Sequence, residues 1–141
     1  LDESIMEALK VALLSGVRVR IMIPNKPDHI FIYWATLSYV GEMLPYGAEV
    51  YIYNNGFLHS KVITVDDKIA AVGSCNFDIR SFSLNFESNA FIYDIKISKA
   101  LRQYFDQDIN KSIRYDQQMY NHRPRRIKIK ESISRLFGPV L

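Results

Sequence analysis

The sequence predicts an α/β layered domain, a mixed β-sheet with helices on both faces. The predicted elements run helix, strand, helix, strand, hairpin, strand, helices, an order that suits packed layers. Apolar residues alternate through VRVRIMI at 17–23, the period of a half-buried strand, with Arg18 and Arg20 on the other face. Of the 141 residues 48% are hydrophobic, enough for one packed core and too many for a disordered tail.

Each element has its own signal. Asp2 or Ser4 can cap a first helix that places Ile5, Leu9, Ala12 and Leu13 on one face and ends at Gly16. The strand at 17–23 follows, and Pro24, Asn25 and Pro27 turn the chain out of it. A second helix, rich in Tyr, Trp and Phe, is predicted over 29–44 and closed by Pro45 and Gly47. AEVYIY at 48–53 reads as a strand and Asn54-Asn55-Gly56 as a turn. Strands at 58–65 and 69–72 flank the tight turn Asp66-Asp67-Lys68, and a fifth strand covers 89–93. Helices are predicted at 97–113 and 127–137, the last stopped by Pro139.

Composition narrows the classes. The single cysteine, Cys75, excludes an internal disulfide, and no Cys/His spacing suggests a zinc site. The net charge of +3 mildly favours an anionic partner. No stretch approaches the ~20 apolar residues that span a bilayer, and no signal peptide is visible. The chain opens at Leu1, without an initiator Met, directly on a helix-start pattern, which reads as a piece of a longer protein.

The chemistry concentrates in HSKVITVDDKIAAVGSCN, residues 59–76. His59 and Lys61, at alternate positions of a predicted strand, share a face. The hairpin turn should return Gly73, Ser74 and Asn76 to a place opposite them. A neutral imidazole serves as nucleophile or general acid/base near neutral pH. Lys61 brings a point charge for a phosphoryl oxygen, Asn76 amide donors, Ser74 a hydroxyl, and Gly73 room for close approach. Such donors meet the charge that builds on a pentavalent phosphorus. A catalytic His needs a partner on its second nitrogen, and Glu87 or Asp78 can supply it. Asp66, at the turn, lies far from the imidazole and suits a turn-capping role.

The pattern H-x-K, four residues, Asp, six residues, G-S-x-N resembles the signature of the phospholipase D superfamily at His59, Lys61, Asp66, Gly73, Ser74 and Asn76. YWATLSYVGEML, YIYNNGFLHSK, NFDIRSFSLNFESNAFIYD and KESISRLFGPVL extend the resemblance over nearly all of 1–141 to the C-terminal half of bacterial cardiolipin synthases. The resemblance implies a phospholipase D-like layered fold and phosphatidyl transfer between two phosphatidylglycerol molecules, giving cardiolipin and glycerol. It implies two motifs facing across a pseudo-twofold axis, a phosphohistidine intermediate, no metal and no cofactor.

In that scheme His59, in the second motif, is the general acid/base. Lys61 and Asn76, with Ser74, bind the phosphate, Glu87 orients His59, and Asp66 and Gly73 are structural. The partners implied are phosphatidylglycerol, anionic lipid of the bacterial cell membrane, and an N-terminal half carrying the other motif, or a second copy of this chain. With one motif present, an isolated half that is inactive without its partner is one alternative. A homodimeric phosphodiesterase or nuclease is another. The loop after the motif is aromatic and nearly neutral, which argues against nucleic acid.

Residues outside the motif invite plainer readings. Asp78 and Arg80 suit a loop anchor, and Cys75 a small buried residue. His29 suits the rim of a lipid entry, His122 an exposed position. The tail over 114–141 is basic: Arg123, Arg125, Arg126, Lys128 and Lys130 cluster, while Ile129, Ile133, Leu136 and Phe137 recur at helical spacing. This pattern fits either a helix that meets anionic lipid or one packed on the core with a solvated basic face.

Overall fold

The computed structural model describes residues 3–26, 30–78, 81 and 85–137. Helix α1 (Glu3–Leu14) ends as Gly16 predicts. With φ at +85°, Gly16 lets Val17 N–H reach the Ala12 carbonyl at 3.0 Å and its own N–H reach Leu13 at 3.0 Å, a Schellman close. That exit occupies the start of the strand predicted at 17–23, so β1 runs Arg20–Pro24. Helix α2 (Ile30–Met43) and one 3-10 turn (Leu44–Tyr46) lead to β2 (Glu49–Tyr53). Strands β3 (Lys61–Val65), β4 (Ile69–Gly73) and β5 (Asn89–Ile92) follow, then α3 (Ile95–Ile109), β6 (Ser112–Tyr115), α4 (Gln117–Asn121) and α5 (Arg125–Phe137).

The strands form two sheets rather than one. The first is mixed, in the order β1-β2-β6: β1 and β2 are parallel, with Arg20 opposite Glu49, and β6 is antiparallel to β2. The second is an antiparallel meander, β3-β4-β5. Ile23, Val50, Ile52 and Tyr115 face a core completed by Met6 and Leu13 of α1 and Leu37, Val40 and Met43 of α2. On the opposite face Arg20 meets α3, bonding Asp106 at 2.6 Å and lying over the Phe105 ring. Helices thus cover both faces of the mixed sheet, as predicted.

Both boundaries of the third helix change. The helix expected over 97–113 starts two residues earlier, because Asp94 caps it by accepting the Ile97 N–H at 2.9 Å. It also stops earlier, and Ser112–Tyr115 leaves it as the unpredicted strand β6, whose Tyr115 is buried. Asp116 then caps the short α4 through Met119 N–H at 2.8 Å.

Helix α3 also joins the two sheets. Arg102 forms ion pairs with Asp106 on its own helix and with Asp67 in the β3–β4 turn. Because Asp106 also holds Arg20, a chain of partly buried charges runs from β1 to that turn. It fixes the hairpin against the mixed sheet.

Candidate active site

The hairpin builds the site. Asp66 and Asp67 have φ of 48° and 55°, and Lys68 N–H bonds the Val65 carbonyl at 2.9 Å. Two central residues in the left-handed region make a type I′ turn, whose twist matches the strands it joins. Aspartate tolerates that region better than most residues because its short side chain hydrogen-bonds locally. Asp66 therefore sits at the turn, at the far end of the hairpin from the other motif residues.

The register then sets the open end. Lys61 pairs with Gly73, and Gly73 with Asn89 on β5. A Cβ on Gly73 would collide with Asn89 Oδ1 and the Ser88 carbonyl oxygen. Only glycine lets β5 approach β4 this closely. Immediately beyond, Ser74 N–H bonds the Ser88 carbonyl at 3.0 Å and Ser88 N–H returns to Ser74 Oγ at 3.1 Å.

Ser74 Oγ donates its proton to Glu87 Oε2 at 2.5 Å. The other carboxylate oxygen accepts from Ser81 Oγ at 3.0 Å and from Asn85 Nδ2 at 3.3 Å. These bonds, Ser74 first and Ser81 next, hold the Glu87 carboxyl below its ordinary value of 4.5 against a smaller opposing effect of burial. Asn85 and the charge of Lys61 act in the same downward direction. Glu87 is thereby tied to the motif through Ser74.

His59 precedes β3 rather than lying within it, since the strand predicted from residue 58 begins at Lys61. Its ring stacks on Phe57, with centroids 5.6 Å apart and planes 10° from parallel. Lys61 Nζ donates to the His59 backbone carbonyl at 2.9 Å, which draws the segment back over the strand. His59, Ser74 and Asn76 are exposed, and Lys61 is half-buried. A pocket of about 260 Å³ opens beside them, with Lys61 and Asn89 as its polar lining and Ile5, Ile63, Phe77 and Phe91 among its apolar walls.

Phe57, Ser81 and Asn85 were not legible as site residues, because irregular loops bring them in without periodicity. Asp78 accepts the Ser81 N–H at 2.7 Å, the anchoring role expected of it. Cys75 is half-buried in the pocket wall, and His122 is exposed with Nδ1 2.9 Å from the Gln118 carbonyl oxygen. His29 and Arg80 lie outside the described residues. Among the described residues no three His, Cys, Asp or Glu side chains converge as ligands for a metal ion, and no helix is long and apolar enough to cross a membrane.

Comparison with known proteins gives the family and the fold. Residues 1–109 match the family model described as cardiolipin synthase, phospholipase D-like domain. The chain is 59% identical over 140 residues to the major cardiolipin synthase ClsA of Bacillus subtilis and 57% identical to a cardiolipin synthase of Oceanobacillus iheyensis. Each alignment covers 99% of this chain and 29% of the relative, so the chain spans under a third of their length. The fold superposes on the crystal structure of Nuc, a phospholipase D family member from Salmonella typhimurium. The TM-score is 0.72 at 25% identity, covering 81% of this chain and 74% of that one. The chain belongs to the cardiolipin synthase, phospholipase D-like domain family.

Proposed function

We propose that these residues form one half of a two-histidine site for phosphatidyl transfer, working within a longer protein of the bacterial cell membrane. One observation carries the reading: the hairpin register sets Lys61 against Gly73, so Lys61, Gly73 and the Ser74–Glu87 pair meet at one end of the antiparallel sheet. Lys61 and Asn76 bind the phosphodiester of phosphatidylglycerol. Ser74 lines the phosphate and links it to Glu87. Glu87 orients His59, which acts as general acid and then general base.

Two steps complete the reaction. A histidine outside this chain attacks phosphorus, the bond from phosphorus to the glycerol headgroup oxygen breaks, and His59 gives its proton to that oxygen. A second phosphatidylglycerol then enters, His59 takes the proton of its headgroup hydroxyl, and the oxygen displaces the histidine from phosphorus. Cardiolipin and glycerol are the products, and both histidines return to their starting states. The charges of Lys61 and the donors of Asn76 suffice for the phosphoryl oxygens in this scheme, so a metal is not required.

The exposure of His59 supports the idea of a missing half. As general base His59 faces the phosphohistidine formed on the other histidine, and water reaching that face would take the acceptor's place, so a transferase must cover it. In the longer protein, the N-terminal part carrying the other histidine is the proposed cover. A second reading, in which two copies of this chain pair as a phosphodiesterase, is favoured by the likeness to Nuc, a chain of comparable length.

The test is a chimera in which these 141 residues replace the corresponding segment of the Bacillus relative. Supplied with phosphatidylglycerol in mixed micelles and excess chelator, it is expected to form cardiolipin and glycerol in equal amounts. Dependence on added metal would overturn metal independence. A homodimer of the isolated chain that cleaves single-stranded DNA and leaves the lipid untouched would favour the second reading.

A further inference from the structure

Helix α5 is packed the opposite way round from an ordinary surface helix. Its polar side is the buried one. Glu131 is 2% exposed and accepts from Arg123 Nε at 2.7 Å, and Ser134 is 1% exposed. Arg135 forms an ion pair with Glu42 of α2 and lies over the Tyr39 ring, 4.8 Å from its centroid. Lys130 Nζ sits 5.0 Å from the Trp34 ring centroid. Charged and polar groups therefore hold the helix to α2.

Three of its apolar residues face away. Ile129, Ile133 and Leu136 are 58%, 43% and 78% exposed. At positions i, i+4 and i+7 they form one stripe. Arg125 and Arg126 lie one turn before Ile129 on the same side, and Lys128 flanks it; all three are exposed. Among the described residues none of the three is in an ion pair.

Charge complementarity selects the partner. The buried centre of a protein interface is depleted in charged residues, whereas an aliphatic stripe edged by Arg and Lys is the pattern of a helix lying in a membrane interface. We infer that the outward face of α5 docks on an anionic bilayer surface. Ile129, Ile133 and Leu136 enter the boundary between headgroups and acyl chains, and Arg125, Arg126 and Lys128 lie against lipid phosphates. This inference does not depend on the catalytic reading.

The test is co-sedimentation of the chain with phosphatidylcholine vesicles, with and without phosphatidylglycerol. Binding is expected only to the anionic vesicles and should weaken as salt rises. Ile133→Ser combined with Leu136→Ser should lower the partition coefficient roughly tenfold or more. Arg125→Gln and Arg126→Gln should each lower it about fivefold. Helix content and Tm should be unchanged in these variants, because the altered side chains are exposed.

A water-soluble short-chain phosphatidylglycerol, which can fill a headgroup site without forming a bilayer, should not displace the bound chain. Equal binding to neutral vesicles, insensitivity to these substitutions, or displacement by the short-chain lipid would overturn the inference. So would a dimer, seen by sedimentation velocity, that the same substitutions dissociate while vesicles are ignored.

Discussion

Gly73 and Glu87 show how single residues set this site. Gly73 has no room for a side chain between β4 and β5. Gly73→Ala must push Asn89 and the Ser88 backbone aside, and is expected to destabilise the fold by roughly 1–3 kcal/mol in chemical denaturation. At Glu87 the depressed pKa has a definite sign. Its contribution to stability is present above the ordinary carboxyl value of 4.5 and is lost as pH falls through the lower folded value. Ser74→Ala removes the first cause of that depression, so the Glu87 carboxyl should titrate at higher pH, as followed by carbon NMR of its side chain. An unchanged titration would show that Ser74 does not hold it. The motif residues themselves were legible, since their spacing is fixed by a strand period and a two-residue turn. Ser81, Asn85 and Phe57 were not, because they reach the site from loops.

Turns and strand pairings account for most of what the sequence did and did not disclose among the elements. Asp66-Asp67 was readable as a tight turn, and its two positive φ angles explain why. Asp66→Asn should be close to neutral, whereas Asp66→Val should cost about 1–2 kcal/mol in thermal or urea unfolding. Strand β6 was hidden because Ser112–Tyr115 is short, largely polar and runs straight on from a helix. In α5 the helical period was plain, yet periodicity does not say which face is buried. Three ion-pair and ring contacts with α2 decided that, and none has a sequence signature.

The mixed sheet carries its own pH signature. The Arg18 side chain bonds Glu49, the first residue of β2, at 2.6 and 3.0 Å. Those bonds are the main reason the Glu49 carboxyl is lowered to about 2; burial opposes them and the Tyr51 hydroxyl adds a smaller downward effect. A lowered carboxyl contributes stability in full above about pH 4.5 and loses it as pH falls towards 2. Arg18→Ala should therefore be less stable than the parent at neutral pH, with the two acid-unfolding curves converging near pH 2. The difference should be small, because Arg18 is 70% exposed and solvent screens the pair.

Across the whole molecule, the layers with helices on both faces followed from the order of elements, while the division into two sheets did not. Strand pairing partners are set by long-range packing, here through α3 and its chain of charges from Arg20 to Asp67. The meander leaves Ile63 and Phe91, which line the pocket with Lys61, 43% and 66% exposed. An open site edged by bare apolar residues is the surface expected of a half whose complement lies elsewhere in a longer chain. The central claim is that His59 performs proton transfer for a histidine this chain does not contain. The most direct measurement is the rate of cardiolipin formation by the Bacillus chimera with His59 and with His59→Ala, alongside the isolated chain. The account predicts an active chimera, an inactive isolated chain, and a loss of about 10²- to 10⁴-fold on His59→Ala. A His59→Ala chimera that keeps its full rate would contradict it.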